Sequence, residues 1–349
     1  MAQINKPNLH FNTVLFSGTG SAQSITGVGF RPDWVWIKPR DNGAWSHNLT
    51  DSVRGAGYGI FADLTGAEYN YGTGTNGSVR TFDSDGFSVG SATQVNNNSS
   101  NIVSWNWLAA NGTASNSNGS TTSTVSANTT AGFSIVSWTG TGSATTLGHG
   151  LGATPQVVLV KNRSEVYGWQ MYHIGYGANN KYLSINSTDA LATDAASWNN
   201  TAPTSSVFSV GASDANNKSS NNIIAYCFAE KKGYSKFSTY TGNGSTNGPF
   251  IYCGFKPAWG IFKRTNSTGN WIMMDNKRSP FNEMQKNLFT NTDAAEDSST
   301  SYNDFDFVSN GIKIREDNND INADGSTYIY MAFAENPIVG SNNIPTTGK

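Results

Sequence analysis

The chain has 349 residues, 24 acidic against 22 basic, for a formal charge of -2. Charged residues make up 13%, about half the usual share, while Gly numbers 37, Asn 42 and Trp 10. No basic stripe is available to neutralise phosphates, which argues against a nucleic-acid binder, and no run approaches the ~18 apolar residues of a membrane helix. An aromatic share of 12% supplies enough apolar surface for a core, which argues against disorder.

Residues 1–13 read as an N-terminal arm. Met1-Ala2-Gln3-Ile4-Asn5-Lys6-Pro7 carries no apolar signal-peptide core, so synthesis in a cytoplasm without Sec-type export is expected. From there the sequence repeats. An aromatic residue followed by a Gly-rich turn occurs as Phe16-Ser-Gly-Thr-Gly-Ser21, Trp138-Thr-Gly-Thr-Gly-Ser143 and Tyr240-Thr-Gly-Asn-Gly-Ser245, spaced 122 and then 102 residues apart. A proline block follows each turn: Gly29-Phe30-Arg31-Pro32-Asp33-Trp34, Ala153-Thr154-Pro155-Gln156-Val157 and Gly254-Phe255-Lys256-Pro257-Ala258-Trp259. A third block closes each copy, around Trp105-Asn106-Trp107, Tyr226-Cys227-Phe228 and Met331-Ala332-Phe333, at offsets of 121 and 105. Agreement of three blocks in order and spacing marks three copies of one unit, over 14–110, 132–232 and 233–337.

Each copy is about 100 residues, a size that sustains its own core. Asn111 to Ala131 holds Ser, Thr, Asn, Gly and Ala with one Val and no charge, so it reads as a flexible linker on which the first unit swings. Only Lys231-Lys232-Gly233 separates the second and third units, which should stay close; 338–349 reads as a C-terminal tail. Within a unit the pattern has period two. Trp34-Val35-Trp36-Ile37, Val157-Val158-Leu159-Val160 and Trp259-Gly260-Ile261-Phe262 are short runs apolar on both faces, as buried strands require. In the closing blocks Val103, Trp105 and Trp107 share a face, as do Ile224, Tyr226 and Phe228, and Ile329, Met331 and Phe333, and that face is predicted to point into each unit's interior. Short turns of helix are allowed near Met273–Met284 and Phe281–Leu288, and no long amphipathic helix is found. The predicted fold is all-β: three tandem antiparallel β-sandwich domains of jelly-roll or concanavalin-like kind.

Chemistry-bearing motifs are sparse. His10, His47, His149 and His173 stand near no nucleophile in a recognised arrangement, so hydrogen bonding is their expected role. Lys38 with Arg40 recurs as Lys161 with Arg163 and as Lys263 with Arg264, predicting structural ion pairs to acids such as Asp51, Asp85 or Asp275; a site for a carbohydrate acid or phosphate is the alternative. Cys227 and Cys253 are expected to be small apolar strand residues rather than a bridge. The acidic loop Glu316, Asp317, Asp320, Asp324 offers oxygen ligands of the type that bind calcium, without the spacing of a helix–loop–helix calcium loop, so a solvated loop is expected and no cofactor is assigned. No pair of carboxylates is singled out for glycoside hydrolysis. Tyr58, Tyr69, Tyr71, Trp169, Tyr172, Tyr176 and Trp198 lie in Gly/Asn-rich segments outside the predicted core strands and form the candidate binding surface, because flat rings with polar edges suit sugars or a protein partner.

Ile4-Asn5-Lys6-Pro7, Gly18-Thr19-Gly20-Ser21, Gly27-Val28-Gly29-Phe30-Arg31-Pro32-Asp33-Trp34, Asp51-Ser52-Val53-Arg54-Gly55, Ser84-Asp85-Gly86-Phe87 and Ala332-Phe333-Ala334-Glu335-Asn336-Pro337 together resemble a domain of unknown function found in tail-fibre and other virion structural proteins of tailed bacteriophages, particularly marine ones. The second unit departs from the pattern, lacking Phe-x-Pro-x-Trp and Asp-Ser-x-Arg-Gly. The resemblance implies a non-enzymatic virion part on the particle exterior, a tail-fibre or appendage subunit that attaches to the host surface. Its expected partners are other virion subunits and a host-surface glycan or protein, with homo-oligomerisation, as a trimer, adding avidity. A capsid-decorating or tail-joint role and a polysaccharide-degrading tailspike are the alternatives.

Overall fold

The computed structural model describes residues 3–41, 43–298 and 304–339, so most of the expected C-terminal tail and the first two residues of the arm lie outside the described residues. The described chain is built mainly of antiparallel β-strands, with helices of single turns such as Thr93–Asn96, Ala195–Trp198, Asp214–Asn217 and Asn319–Asn322. The turns allowed near Met273 and Phe281 are instead occupied by strands Ile272–Asp275 and Leu288–Phe289 and their connection.

The same four strands recur in three large sheets, in one order. An opening strand (Phe11–Ser17, Phe133–Thr139, Ser235–Thr241) lies against the closing strand (Asn101–Trp107, Asn222–Phe228, Thr327–Pro337). The strand after the proline block (Trp34–Pro39, Val157–Asn162, Phe255–Arg264) pairs with the other edge of the closing strand, then with a fourth strand (Asn48–Asp51, Gln170–His173, Ile272–Asp275). Register is conserved with order: Trp34 faces Trp107, Val157 faces Phe228 and Trp259 faces Phe333. A small sheet accompanies each large one: Gln23–Ile25, Gly86–Val89 and Val79–Asp83 in the first unit, Thr145–Gly148 and Val207–Val210 in the second, and Phe250–Tyr252, Gly311–Ile314 and Phe305–Val308 in the third.

The Gly-rich turn has a physical reason at each glycine. A Cβ on Gly18, Gly140 or Gly242 would lie 1.9, 2.1 or 2.3 Å from the backbone oxygen of Asn97, Lys218 or Ala323, while Gly20, Gly142 and Gly244 have φ of +65°, +68° and +60°. The turn is latched by a buried asparagine. Asn96 accepts from Thr19 N and donates to Ser21 O and Gly90 O; Asn217 does the same with Thr141, Ser143 and Gly211; Asn322 with Asn243, Ser245 and Glu316. An apolar side chain in its place would leave those three backbone groups without a partner.

Alternate residues of the closing strands face two different interiors. Ile102, the set Ile223, Ala225 and Cys227, and the set Tyr328, Tyr330 and Ala332 each pack in their own unit against its small sheet. The opposite faces, carrying Val103, Trp105, Trp107, Ile224, Tyr226, Phe228, Ile329, Met331 and Phe333, do not line three separate interiors as predicted. They enter one hydrophobic cluster to which all three units contribute. Trp34 stacks 4.3 Å from Tyr226, Trp107 lies 5.8 Å edge-on to Trp259, and Phe228 and Phe333 are 6.0 Å apart, joining first to second, first to third, and second to third unit. An apolar cavity of about 20 Å³, bordered by Trp34, Trp107, Met171, Trp259, Trp271 and Met331, lies inside this cluster. Two buried faces per strand explain why these runs are apolar throughout.

The segment 111–131 also differs from its sequence reading. Ala114–Asn116 and Ser123–Asn128 are strands that extend the second unit's large sheet beyond Phe133–Thr139. Val125 is buried in that unit's own cluster, and Ser126 Oγ accepts from Ala110 N at 3.0 Å, so the segment is a sheet edge and not a swinging tether. Replacing Trp107 by alanine should lower the stability of the whole chain by about 3–5 kcal/mol, the cost of deleting a core aromatic. Calorimetry should show this as a shift of one unfolding transition; a loss confined to a sub-transition belonging to the first unit would contradict the shared core.

Candidate functional site

The repeated charged and polar residues gather at the three seams where unit meets unit. The fourth strand of each unit, and the loop after it, lies against the next unit round the ring. On the first seam Asp51 is bonded by Arg54, by the Val53 and Arg54 backbone N–H groups, and by the Tyr226 hydroxyl of the second unit at 2.8 Å. Arg54 continues to Glu68 at 3.0 Å, and Glu68 takes Arg163 of the second unit at 2.7 Å. The third unit meets the first in the same way. Asp275 holds Arg278 and accepts from Trp105 Nε1 at 3.0 Å, while Arg278 and Arg40 share Glu296. Neighbouring carboxylates outweigh burial at Arg54 and hold its guanidinium well above its ordinary value.

The seam between the second and third units uses different atoms. His173 occupies the place of Asp51 and Asp275, since it pairs in register with Val157 as they pair with Trp34 and Trp259. Met331, which faces Ile261 as Trp105 faces Trp36, has no N–H to offer. His173 instead bonds the Tyr330 carbonyl through Nε2 at 3.2 Å and accepts from Gly175 N at Nδ1.

Two further contacts repeat on all three seams. Trp169 Nε1 donates to Phe61 O at 2.8 Å, Trp271 Nε1 to Ser184 O at 3.0 Å, and His47 Nε2, in the matching position, to Phe289 O at 3.1 Å. Lys161 reaches Thr65 O, Lys263 reaches Thr188 O and Lys38 reaches Asp293 O, each across its seam. Burial pulls all three ammonium groups down to about 8. The expected acids are not the partners of the Lys and Arg repeats: the lysines bind carbonyls, Arg40 and Arg163 bind Glu296 and Glu68, Arg264 bonds Ser326 Oγ, and Asp51 and Asp275 serve Arg54 and Arg278. Asp85 accepts from Gly27 N and Gly29 N in a turn, bonds that lower its carboxyl.

The predicted aromatic surface is divided. Trp169 and Tyr176 are buried in the shared cluster, and Tyr172 and Trp198 are buried 5.9 Å apart in the second unit's own core, so these four are removed from the candidate binding surface. Their Gly/Asn-rich loops are covered by chain from elsewhere, which local sequence does not reveal. Tyr69 remains 59% exposed, with its ring 4.7 Å from that of Tyr71, and Tyr58 is half-buried beside them on the paired strands Tyr58–Phe61 and Tyr69–Asn70. In the acidic loop Asp320 is taken up by Asn270 N and Nδ2 at 3.0 Å, and among the described residues no group of three or more His, Cys, Asp or Glu is placed to hold a metal ion. Cys227 and Cys253 are buried free thiols, raised by desolvation, in different units' cores.

Glu68, Glu296 and the three latch asparagines were missed in the sequence. The asparagines carried a usable signal, since Asn96, Asn217 and Asn322 are spaced 121 and 105 apart like the closing blocks. The two glutamates fall in segments whose lengths differ between units, which breaks any fixed offset.

His47 and His173 make the seams acid-sensitive. Burial pulls His173 down to about 4 and His47 well below the ordinary 6.5, with Lys38 adding to the latter. In both rings Nδ1 accepts an N–H, from Gly175 or from Trp36 Nε1, so a second proton breaks a bond. Because the folded value is depressed, the contribution is whole above the unfolded value near 6.5 and is withdrawn as pH falls towards 4. For His173 the withdrawal amounts to about 3 kcal/mol. The melting temperature should fall over that window and His173→Asn should flatten part of the fall; identical profiles for the two proteins would contradict the assignment.

A family model described as a domain of unknown function, DUF7483, matches residues 6–337. No curated protein and no solved structure matches the chain.

Proposed function

The chain belongs to the DUF7483 family, and we propose that it is a bacteriophage virion structural protein, a tail-fibre or appendage subunit on the particle exterior that attaches to the host surface. In this reading each unit is a β-sandwich of jelly-roll or concanavalin-like type, and the chain acts without breaking bonds. The observation that carries it is the use made of the charged repeats. Asp51, Arg54, Glu68, Arg163, Asp275, Arg278, Glu296 and Arg40 are spent on joining unit to unit. Such a body resists deformation and presents loops in fixed positions, the property an attachment device needs.

The resemblance of the opening and closing motifs to virion proteins supplies the biological setting. Exposed Tyr69, with half-buried Tyr71 beside it, supplies the contact surface, and Asn70 and Gly72 are polar and permissive neighbours. Aromatic faces of this kind stack on sugar rings or on a protein loop, each contact being weak, and homo-oligomerisation with display of many copies on a particle adds avidity.

Fluorescently labelled protein should adhere to host cells and be displaced by purified host-surface glycan, and Tyr69→Ala with Tyr71→Ala should reduce adherence about tenfold or more, the loss of one good stacking contact. Absence of adherence by a protein that co-purifies in fixed ratio with capsid would replace this reading with an architectural one. Release of reducing ends from host polysaccharide would replace it with a tailspike enzyme.

A further inference from the structure

The small sheets of the three units end in the same strand, and its outer edge is treated differently in each. In the second unit Leu147 pairs with Phe208 and packs in that unit's core, as Ile251 pairs with Ile312 and packs in the third. Leu147 and Ile251 are therefore equivalent, and Thr146 and Gly148 correspond to Phe250 and Tyr252.

In the second unit the outer edge is closed by the chain itself. Thr121 forms a parallel bridge with Leu147, Thr121 N donates to Thr146 O at 3.1 Å, Thr146 N donates to Ser120 Oγ at 3.0 Å, and Ser123 Oγ donates to Gly148 O at 2.8 Å. The segment that does this is the one inserted between the first and second units, and the third unit has no counterpart. There Ile314 N bonds Pro249 O and Cys253 N bonds Asn310 O, so Pro249, Ile251 and Cys253 direct their backbone groups inward to Gly311–Ile314. Alternation then turns the backbone groups of Phe250 and Tyr252 outward. The Tyr252 carbonyl receives the Tyr330 hydroxyl at a long 3.5 Å, which leaves it room for a second donor. The flanking side chains are apolar and open: Phe250 is 48% and Tyr252 59% exposed, and the strand carries no charge. The first unit's matching strand, Gln23–Ile25, has polar Ser24 in the place of Phe250.

An edge left unpaired among the described residues, with exposed aromatics and no charge on its own strand, is a template for another strand. We propose that its occupant is a second copy of this chain, the strand Phe250–Tyr252 lying antiparallel to its own counterpart about a two-fold axis through Ile251. The register is self-complementary. Phe250 stands opposite the partner's Tyr252 and Tyr252 opposite the partner's Phe250, and in both pairs the outward N–H and C=O groups meet. Each hydrogen-bonded pair also brings a phenylalanine ring against a tyrosine ring, a favoured cross-strand combination. Two three-stranded sheets become one of six strands, and the contact is isologous and closes on itself. The inference stands apart from host attachment, because it needs only the edge, and it gives the association a two-fold rather than a three-fold axis.

Sedimentation equilibrium over a range of concentrations tests it. The intact chain should show a reversible monomer–dimer equilibrium, and the Phe250 and Tyr252 amides should gain hydrogen-exchange protection as dimer forms. Phe250→Pro removes an outward N–H that has no partner among the described residues, and Tyr252→Lys places charges face to face across the axis. Either should weaken the dimer about tenfold or more while leaving the melting profile of the monomer in place. If Phe250→Pro fails to fold, Tyr252→Lys carries the test alone. A chain that stays monomeric at its solubility limit, a trimer, or a dimer indifferent to both substitutions would each overturn the proposal.

Discussion

Everything else in this molecule depends on three sheets burying their aromatic faces against one another. Trp34, Trp107, Tyr226, Phe228, Trp259 and Phe333 belong to one cluster, and each unit would leave its share in water if it stood alone. Aromatic side chains bury roughly 150–250 Å² apiece, so exposing such a face forfeits several kcal/mol per residue at about 25 cal/mol per Å². That penalty holds three units of one chain in a closed ring, more strongly than the short connection at Lys231-Lys232-Gly233 does.

The polar seams act on a different quantity. Bringing Asp51, Arg54 and Glu68 out of water costs nearly as much as their attraction returns, so the pairs add little net stability by existing. Their effect is on arrangement. A carboxylate that must meet Tyr226 and two backbone N–H groups fits one rotation of the second unit against the first, and Asp275 imposes the same condition through Trp105. The third seam shows that the condition can be met in another way. Where histidine replaces the acid, methionine replaces the donor, and a backbone carbonyl completes the contact.

Much of this was legible in the sequence, and the boundary of legibility is physical. Repeated blocks and period-two alternation pointed to a recurring strand pattern and its buried strands, whereas Lys38, Lys161 and Lys263, expected to pair with acids, bind carbonyls. Periodicity says that a face is buried but not what buries it, so Trp105, Tyr226 and Met331 were assigned to separate interiors. The same limit misled the reading of Trp169 and Tyr176, whose cover comes from other units, and of Tyr172 and Trp198, whose cover comes from distant parts of their own. Composition misled at Asn111 to Ala131: Ser and Thr are common in flexible linkers, yet their hydroxyls also satisfy a strand edge, as Ser120 and Ser123 do. Of the candidate surface, the Tyr58, Tyr69 and Tyr71 corner remains, because Tyr69 stays exposed.

A body assembled from interdependent thirds is what the proposed attachment role asks for. The interdependence itself is open to direct measurement by expressing the second unit together with its two edge strands, 112–232, without its neighbours and recording its near-ultraviolet circular dichroism and thermal melting. The account predicts a chain with no fixed aromatic environment and no cooperative transition, since Phe133, Leu159, Trp169, Tyr226 and Phe228 would have lost their cover. A fragment that folds alone and melts as sharply as the intact protein would contradict it.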